Sequence, residues 1–174
     1  TGRLFACEHS DVIPDIICLG KALTSGFPLS ACVGRADVMD AWPESSGEAL
    51  HTSTFLGNPL GCAMAVASLR EHAKPETASK VRDAGCHLRA ALSKIVSPRI
   101  GNLRGAGLLV GIEIVGQDGA PDADTAARCV TEALKVGLLL LAGGRHGNVI
   151  SLAPPFDLRP EESDFLAAKL AAML

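Results

Sequence analysis

One lysine stands out for the chemistry it can do. Lys21 follows the apolar run Ile16-Ile17-Cys18-Leu19 and one glycine, Gly20, with small residues around it. An amine at the end of a buried strand is expected to be partly desolvated. Desolvation disfavours the ammonium form and lowers the pKa. A lysine so tuned can form a Schiff base with a carbonyl compound. The ordinary alternative is a lysine whose stem covers the strand end while its charge reaches water.

A second group bears hydroxyls. The segment His51-Thr52-Ser53-Thr54 precedes a helix start at Asn58-Pro59. Hydroxyls beside unpaired N–H groups suit a phosphate, and the same residues also serve in an ordinary capping turn. Two glycine-containing segments fail the spacing of phosphate-binding motifs. In the run from Arg104 to Gly111 the third glycine of a dinucleotide fingerprint falls on Val110. At Gly20-Lys21 a P-loop needs Ser or Thr where Ala22 stands, and glycine where Asp15 stands. The histidines (His9, His51, His72, His87, His146) show no ligand spacing, and no two cysteines form a C-x-x-C pair. No metal site is expected. Glu113, inside an apolar pattern, is expected to face out of a sheet or to pair with Arg104 or Arg35.

These residues need elements to position them. Ile16 to Leu19 reads as a short buried strand, Leu29 to Val33 as a second, with Lys21 to Pro28 as the loop between. A short helix is predicted over Ala36 to Ala41. Asn58 is a cap with Pro59 in the first position of a helix to about Ala73. The small apolar residues of that helix go most of the way round, which predicts burial. Pro75 opens a helix whose apolar positions Ala78, Val81, Gly85, Leu88, Leu92 and Ile95 recur at helical spacing. Leu108 to Val115 is a strand, with Arg104 to Gly107 as a turn leading into it. Asp122 or Asp124 caps a helix to about Val136. Leu138 to Leu141 and Val149 to Leu152 are short strands, and Pro160 opens a last helix to Met173. The alternation points to an α/β or α+β layered fold.

Composition narrows the function classes. A chain of 174 residues has the size of about one domain. With 16 basic and 19 acidic residues the net charge is −3, which argues against a nucleic-acid binder. Apolar stretches are far shorter than a membrane span needs, so no membrane partner is expected. Six cysteines without a framework pattern predict a reducing compartment, most simply the cytoplasm. The chain starts at Thr1 without a methionine, and is read as a fragment or a processed piece.

Taken together the segments resemble a family. TGRLFACEHSDVIPDIICLGKALTSGFPLSACVGR, from Thr1 to Arg35, is similar to the core of the class III aminotransferases, which depend on pyridoxal 5′-phosphate (PLP). HTSTFLGNPLGCAMAVASL, RGAGLLVGIEI and NVISLAPPF resemble three further family blocks, in order and with fitting gaps. Within the family, the chain most resembles members of the 4-aminobutyrate type.

The resemblance implies an α/β chain of PLP-dependent transferase fold type I. Residues 1–74 would end the large PLP-binding domain, and residues 75–174 would form the small C-terminal α+β domain. Lys21 would hold PLP as a Schiff base and act as the base in proton transfer. Ser53 and Thr54 would contact the phosphate of the partner's cofactor, across a homodimer with a shared active site. The partners would be an amino donor and a 2-oxo acid acceptor. The family's acidic partner of the pyridine nitrogen, its glycine-serine phosphate loop and its ring-stacking aromatic lie upstream of Thr1. The isolated chain is therefore expected to be inactive.

One departure bears on substrate. Ser151 stands where many members that take amino acids carry an Arg for the substrate carboxylate. Either Arg145 takes that role, or the donor is an amine or ω-amino acid. Two alternatives stay open: a PLP-dependent aminomutase or racemase on the same scaffold, and a non-catalytic truncated fragment. The fragment reading predicts an exposed apolar patch and aggregation of the isolated chain.

Overall fold

The computed structural model describes residues 1–47 and 52–174. The chain divides into two compact units, Arg3–Pro75 and Glu76–Leu174, with Thr1–Gly2 belonging to the second.

The first unit is built on an antiparallel ribbon. Strand β1 (Ile16–Leu19) pairs with β2 (Ala31–Gly34), with Ile16 opposite Gly34 and Leu19 opposite Ala31. The β-branched pair Ile16-Ile17 suits a pleated surface. Strand β2 begins two residues later than the apolar pattern predicts. A short helix α1 (Ala36–Met39) follows, then α2 (Pro59–His72). The α2 cap is the expected one: Asn58 Oδ1 accepts from the Gly61 amide at 3.1 Å, with Pro59 in the first turn. Arg35 pairs with Asp15 at 3.0 Å and with Asp37 at 2.7 Å, not with Glu113.

The predicted burial of α2 is overturned. Only Gly61 and Ala65 are buried, while Leu60, Met64, Val66 and Leu69 are exposed. A two-stranded ribbon and one short helix do not supply a second layer wide enough to cover a helix that is apolar all round. Elsewhere in this unit Ile13 is 91% exposed, Phe55 75% and Trp42 60%.

The second unit is a two-layer α+β body. Helices α3 (Pro75–Leu92, opening on the last residue of the first unit), α4 (Ala123–Lys135) and α5 (Pro160–Met173) accompany a four-stranded antiparallel sheet. Its strands are β3 (Ile100–Ala106), β4 (Leu109–Ile114), β5 (Leu141–Gly143) and β6 (Val149–Leu152), in the order β3-β4-β6-β5. Alternation on β4 buries Val110, Ile112 and Ile114 and turns Leu109, Gly111 and Glu113 away. The buried set packs with Leu88 and Leu92 of α3, Cys129 of α4, Ile150 of β6 and Leu170 of α5 in one core.

Two expectations about this sheet are corrected. Where the sequence predicts a turn at Arg104 to Gly107, the structure has the end of strand β3. Its glycines and polar residues (Gly101, Asn102, Arg104, Gly105) hide any strand pattern, yet it pairs with β4 from Ile100 to Ala106. As an edge strand it needs no continuous apolar run. Strand β5 lies at Leu141–Gly143 rather than Leu138 to Leu141, and Leu139 is exposed.

Helix α4 is capped by Asp122, one of the two expected candidates. Its Oδ1 accepts from the Thr125 amide at 2.9 Å and its Oδ2 from Arg99 at 3.0 Å. The Thr125 backbone hydrogen bond, then the Thr125 hydroxyl, with smaller help from Arg99 and Arg128, holds the Asp122 carboxyl below its ordinary 3.8. A depressed carboxylate contributes stability that is present above the unfolded value and is lost as pH falls through the folded one. Asp122→Asn keeps a capping oxygen but removes the charge. Acid unfolding of this variant is expected to show a shallower loss of stability below about pH 4 than wild type. Identical acid profiles would refute the charge contribution.

Candidate active site

Lys21 sits where strand β1 gives way to a tight turn. Residues Lys21–Leu23 form one turn of 3-10 helix, with Gly20 C=O accepting from the Leu23 amide at 3.0 Å. The Lys21 backbone is left-handed, with φ +46°. For a residue with a Cβ this costs about 1–3 kcal/mol and persists only where surroundings enforce it, which concentrates such residues at functional positions.

Neighbouring groups enforce it. Thr24 is buried, and its hydroxyl donates to the Phe27 carbonyl, closing the loop on itself. Ser25 (φ +57°) and Gly26 (φ +129°) then reverse the chain toward β2. From α2, Ser68 Oγ donates to the Ala22 carbonyl at 3.2 Å. Gly61 lets the Phe27 ring approach: a Cβ there would stand 3.2 Å from two ring carbons. An apolar cavity of about 220 Å³, lined by Leu4, Leu19, Gly20, Leu23 and Leu69 among others, lies against the residues flanking Lys21. Thr24 and Ser68 are positioning residues that spacing does not reveal. Their only local signal is a hydroxyl near a glycine-containing turn.

Lys21 itself is exposed, and strand β1 before it has no buried residue, so the structure does not show the buried strand end that the apolar run predicts. Its ammonium has no hydrogen-bond or ion-pair partner among the described residues.

Ser53 and Thr54 lie in the exposed turn that leads into α2. The Ser53 carbonyl accepts from the Leu56 amide at 3.1 Å, which shapes the turn. Neither hydroxyl has a hydrogen-bond partner among the described residues, and no hydrogen bond joins them to Lys21. His51 lies outside the described residues.

In the second unit, Glu113 pairs with Arg104 at 2.8 Å, one of the two expected partners. Ser151 is on β6 opposite Gly111 and Leu141, exposed between buried neighbours. Arg145 is exposed in the turn after β5. His87 stands 3.4 Å from Asp164, and no cluster of metal-ligating side chains is present among the described residues. No helix among them is long and apolar enough to cross a membrane.

A family model described as aminotransferase class-III matches residues 1–174. The chain is 35% identical over 164 residues to a 4-aminobutyrate aminotransferase of Mycobacterium leprae, covering 92% of this chain and 36% of that protein. It is 34% identical to a diaminobutyrate–2-oxoglutarate aminotransferase of Rhizobium meliloti, covering 99% and 38%. An ornithine aminotransferase from Toxoplasma gondii, whose active site holds PLP at partial occupancy, superposes with a TM-score of 0.80. Its identity is 35%, over 99% of this chain and 39% of that one. The chain thus spans about two fifths of the length of the relatives it matches.

Proposed function

The chain belongs to the class-III aminotransferase family, and from that premise we propose that the complete protein is a PLP-dependent aminotransferase moving an amino group from an amine or ω-amino acid to a 2-oxo acid. Lys21 carries the reading. Its amine is launched from a strand end on a strained backbone, in a turn tied down by Thr24 and Ser68. An amine without an ion pair is the donor that an aldehyde cofactor requires, so the residue fits PLP.

Bound PLP supplies an aldehyde that accepts the amino group and a ring that withdraws electrons from the reacting carbon. Lys21 Nζ would hold the cofactor and would also be the base that takes the proton from the amine-bearing carbon of the donor. Residues 1–74 are read as the end of the large PLP-binding domain, and residues 75–174 as the small C-terminal domain.

Ser53 and Thr54 are read as phosphate contacts to the partner's cofactor in a homodimer. Their exposed, unpartnered hydroxyls support this. Ser53→Ala and Thr54→Ala in the complete protein are each expected to cost about 1–3 kcal/mol of PLP affinity, as for a lost charge-assisted hydrogen bond. That is roughly a five- to 150-fold rise in Kd for PLP, read by cofactor titration. Unchanged retention in both variants would remove the phosphate role. Ser151 supports an amine or ω-amino donor, because a neutral hydroxyl cannot grip an α-carboxylate as a guanidinium does. Six free thiols support a reducing, cytoplasmic setting.

The experiment is borohydride reduction with PLP on the complete protein, followed by peptide mass mapping. A pyridoxyl adduct on Lys21 is expected. An adduct elsewhere, or none, would overturn the reading.

A further inference from the structure

Cys18 and Cys32 are direct partners in the antiparallel register of β1 and β2. Directly opposed residues share one face of the ribbon, with Cα atoms about 4.5–5.5 Å apart. A disulfide needs a Cα separation of about 4.4–6.8 Å, so the ribbon meets the requirement without a change of register. Both cysteines are exposed and both thiols are free. The remaining cysteines (Cys7, Cys62, Cys86, Cys129) lie on helical segments, and none faces a second thiol across a strand pair.

The two thiols are close enough to sense each other. Desolvation first, then the charge and hydrogen bond of Cys18, pushes the Cys32 thiol above its ordinary range. Either thiol can open the exchange, and the one facing it across the ribbon resolves it.

We propose that Cys18 and Cys32 form a redox-active dithiol that a small-molecule disulfide converts to a cross-strand disulfide, closing the loop of residues 19–31 that carries Lys21. One of the two thiolates attacks one sulfur of the small disulfide, forms a mixed disulfide and expels one thiol. The facing cysteine then attacks the protein sulfur of that mixed disulfide and expels the second thiol. The protein loses two electrons and two protons, and the small disulfide gains both as two thiols. The bond would staple the ribbon just before Lys21, where strand β1 ends. The inference rests on the register of the two strands and stands apart from amino transfer.

The test uses the folded, complete protein and hydroxyethyl disulfide. After incubation, remaining thiols are alkylated with iodoacetamide, and the protein is digested with trypsin without reductant. Cleavage after Lys21 and Arg35 places the two cysteines in different peptides. The expected result is a linked pair, lighter by two hydrogens than the sum of its parts and separated by dithiothreitol. In Cys32→Ser, Cys18 is expected to be trapped as the mixed disulfide with mercaptoethanol. In Cys18→Ser, Cys32 is expected to be trapped in the same way. Wild-type protein with both cysteines alkylated, or with each bearing its own mercaptoethanol, would overturn the proposal without touching the assignment of Lys21.

Discussion

Lys21→Ala, introduced into the complete protein, is expected to abolish amino transfer and the absorbance of bound cofactor together. The variant removes the only atom of this residue that can bond to an aldehyde, and it removes the base. Loss of a positioned base alone is worth about 10²–10⁴-fold in rate, and loss of the covalent tether adds to it. Folding should survive. Lys21 is exposed, and alanine meets the same left-handed strain as lysine. A thermal melt within about 0.5 kcal/mol of wild type is expected, as for surface substitutions generally. Lys21→Arg sharpens the test, since it keeps a positive charge but cannot form the same imine. Retained turnover with retained cofactor absorbance in either variant would sink the PLP reading.

Gly85→Ala is expected to give a large loss of stability from a single methyl group. Two effects oppose each other here. Inside a helix, alanine is favoured over glycine by about 1 kcal/mol. At this position, however, the added Cβ would stand 2.2 Å from the Gly107 carbonyl oxygen and 2.3 Å from its carbon. Both are backbone atoms, so no side chain can swing away. Helix α3 and the β3–β4 turn must then separate, which also strains the Arg89 donation to the Gly107 carbonyl, at 3.4 Å. Overpacking of a filled core costs about 1–3 kcal/mol and occasionally more, so the clash outweighs the helix gain. Chemical denaturation of the complete protein would show a lowered midpoint. A raised midpoint would refute the close approach. Gly107, at φ +54° with Val81 and Thr1 close by, leaves the turn no room to yield.

Much of the local structure is legible in the residues. Asn58 and Asp122 cap their helices as their side chains dictate, and Pro160 opens the last helix. Ile16–Leu19 is a strand, as its β-branched run predicts, although none of its residues is buried as expected, and Val149–Leu152 matches its pattern. The apolar positions of α3 that recur at helical spacing are largely those the core buries. Lys21 stands out in the sequence because a lysine after an apolar strand pattern and a glycine is an unusual placement for a charge.

The residues alone determine whatever is decided within one turn or one strand: caps, helix periods, strand runs and the placement of Lys21 along the chain. Contacts between distant segments are decided only in the tertiary structure. Edge strand β3 exists because β4 pairs with it, although its own glycines argue otherwise. Helix α2 stays exposed because burial depends on what packs against it, and an all-round apolar pattern states only a need. The left-handed backbone of Lys21 is held by Thr24 and by Ser68, the latter far away in sequence. The facing of Cys18 and Cys32 follows from strand register, which no spacing of cysteines encodes. Local preferences act through a few neighbouring bonds, whereas pairing and burial depend on the whole surface that folding brings together.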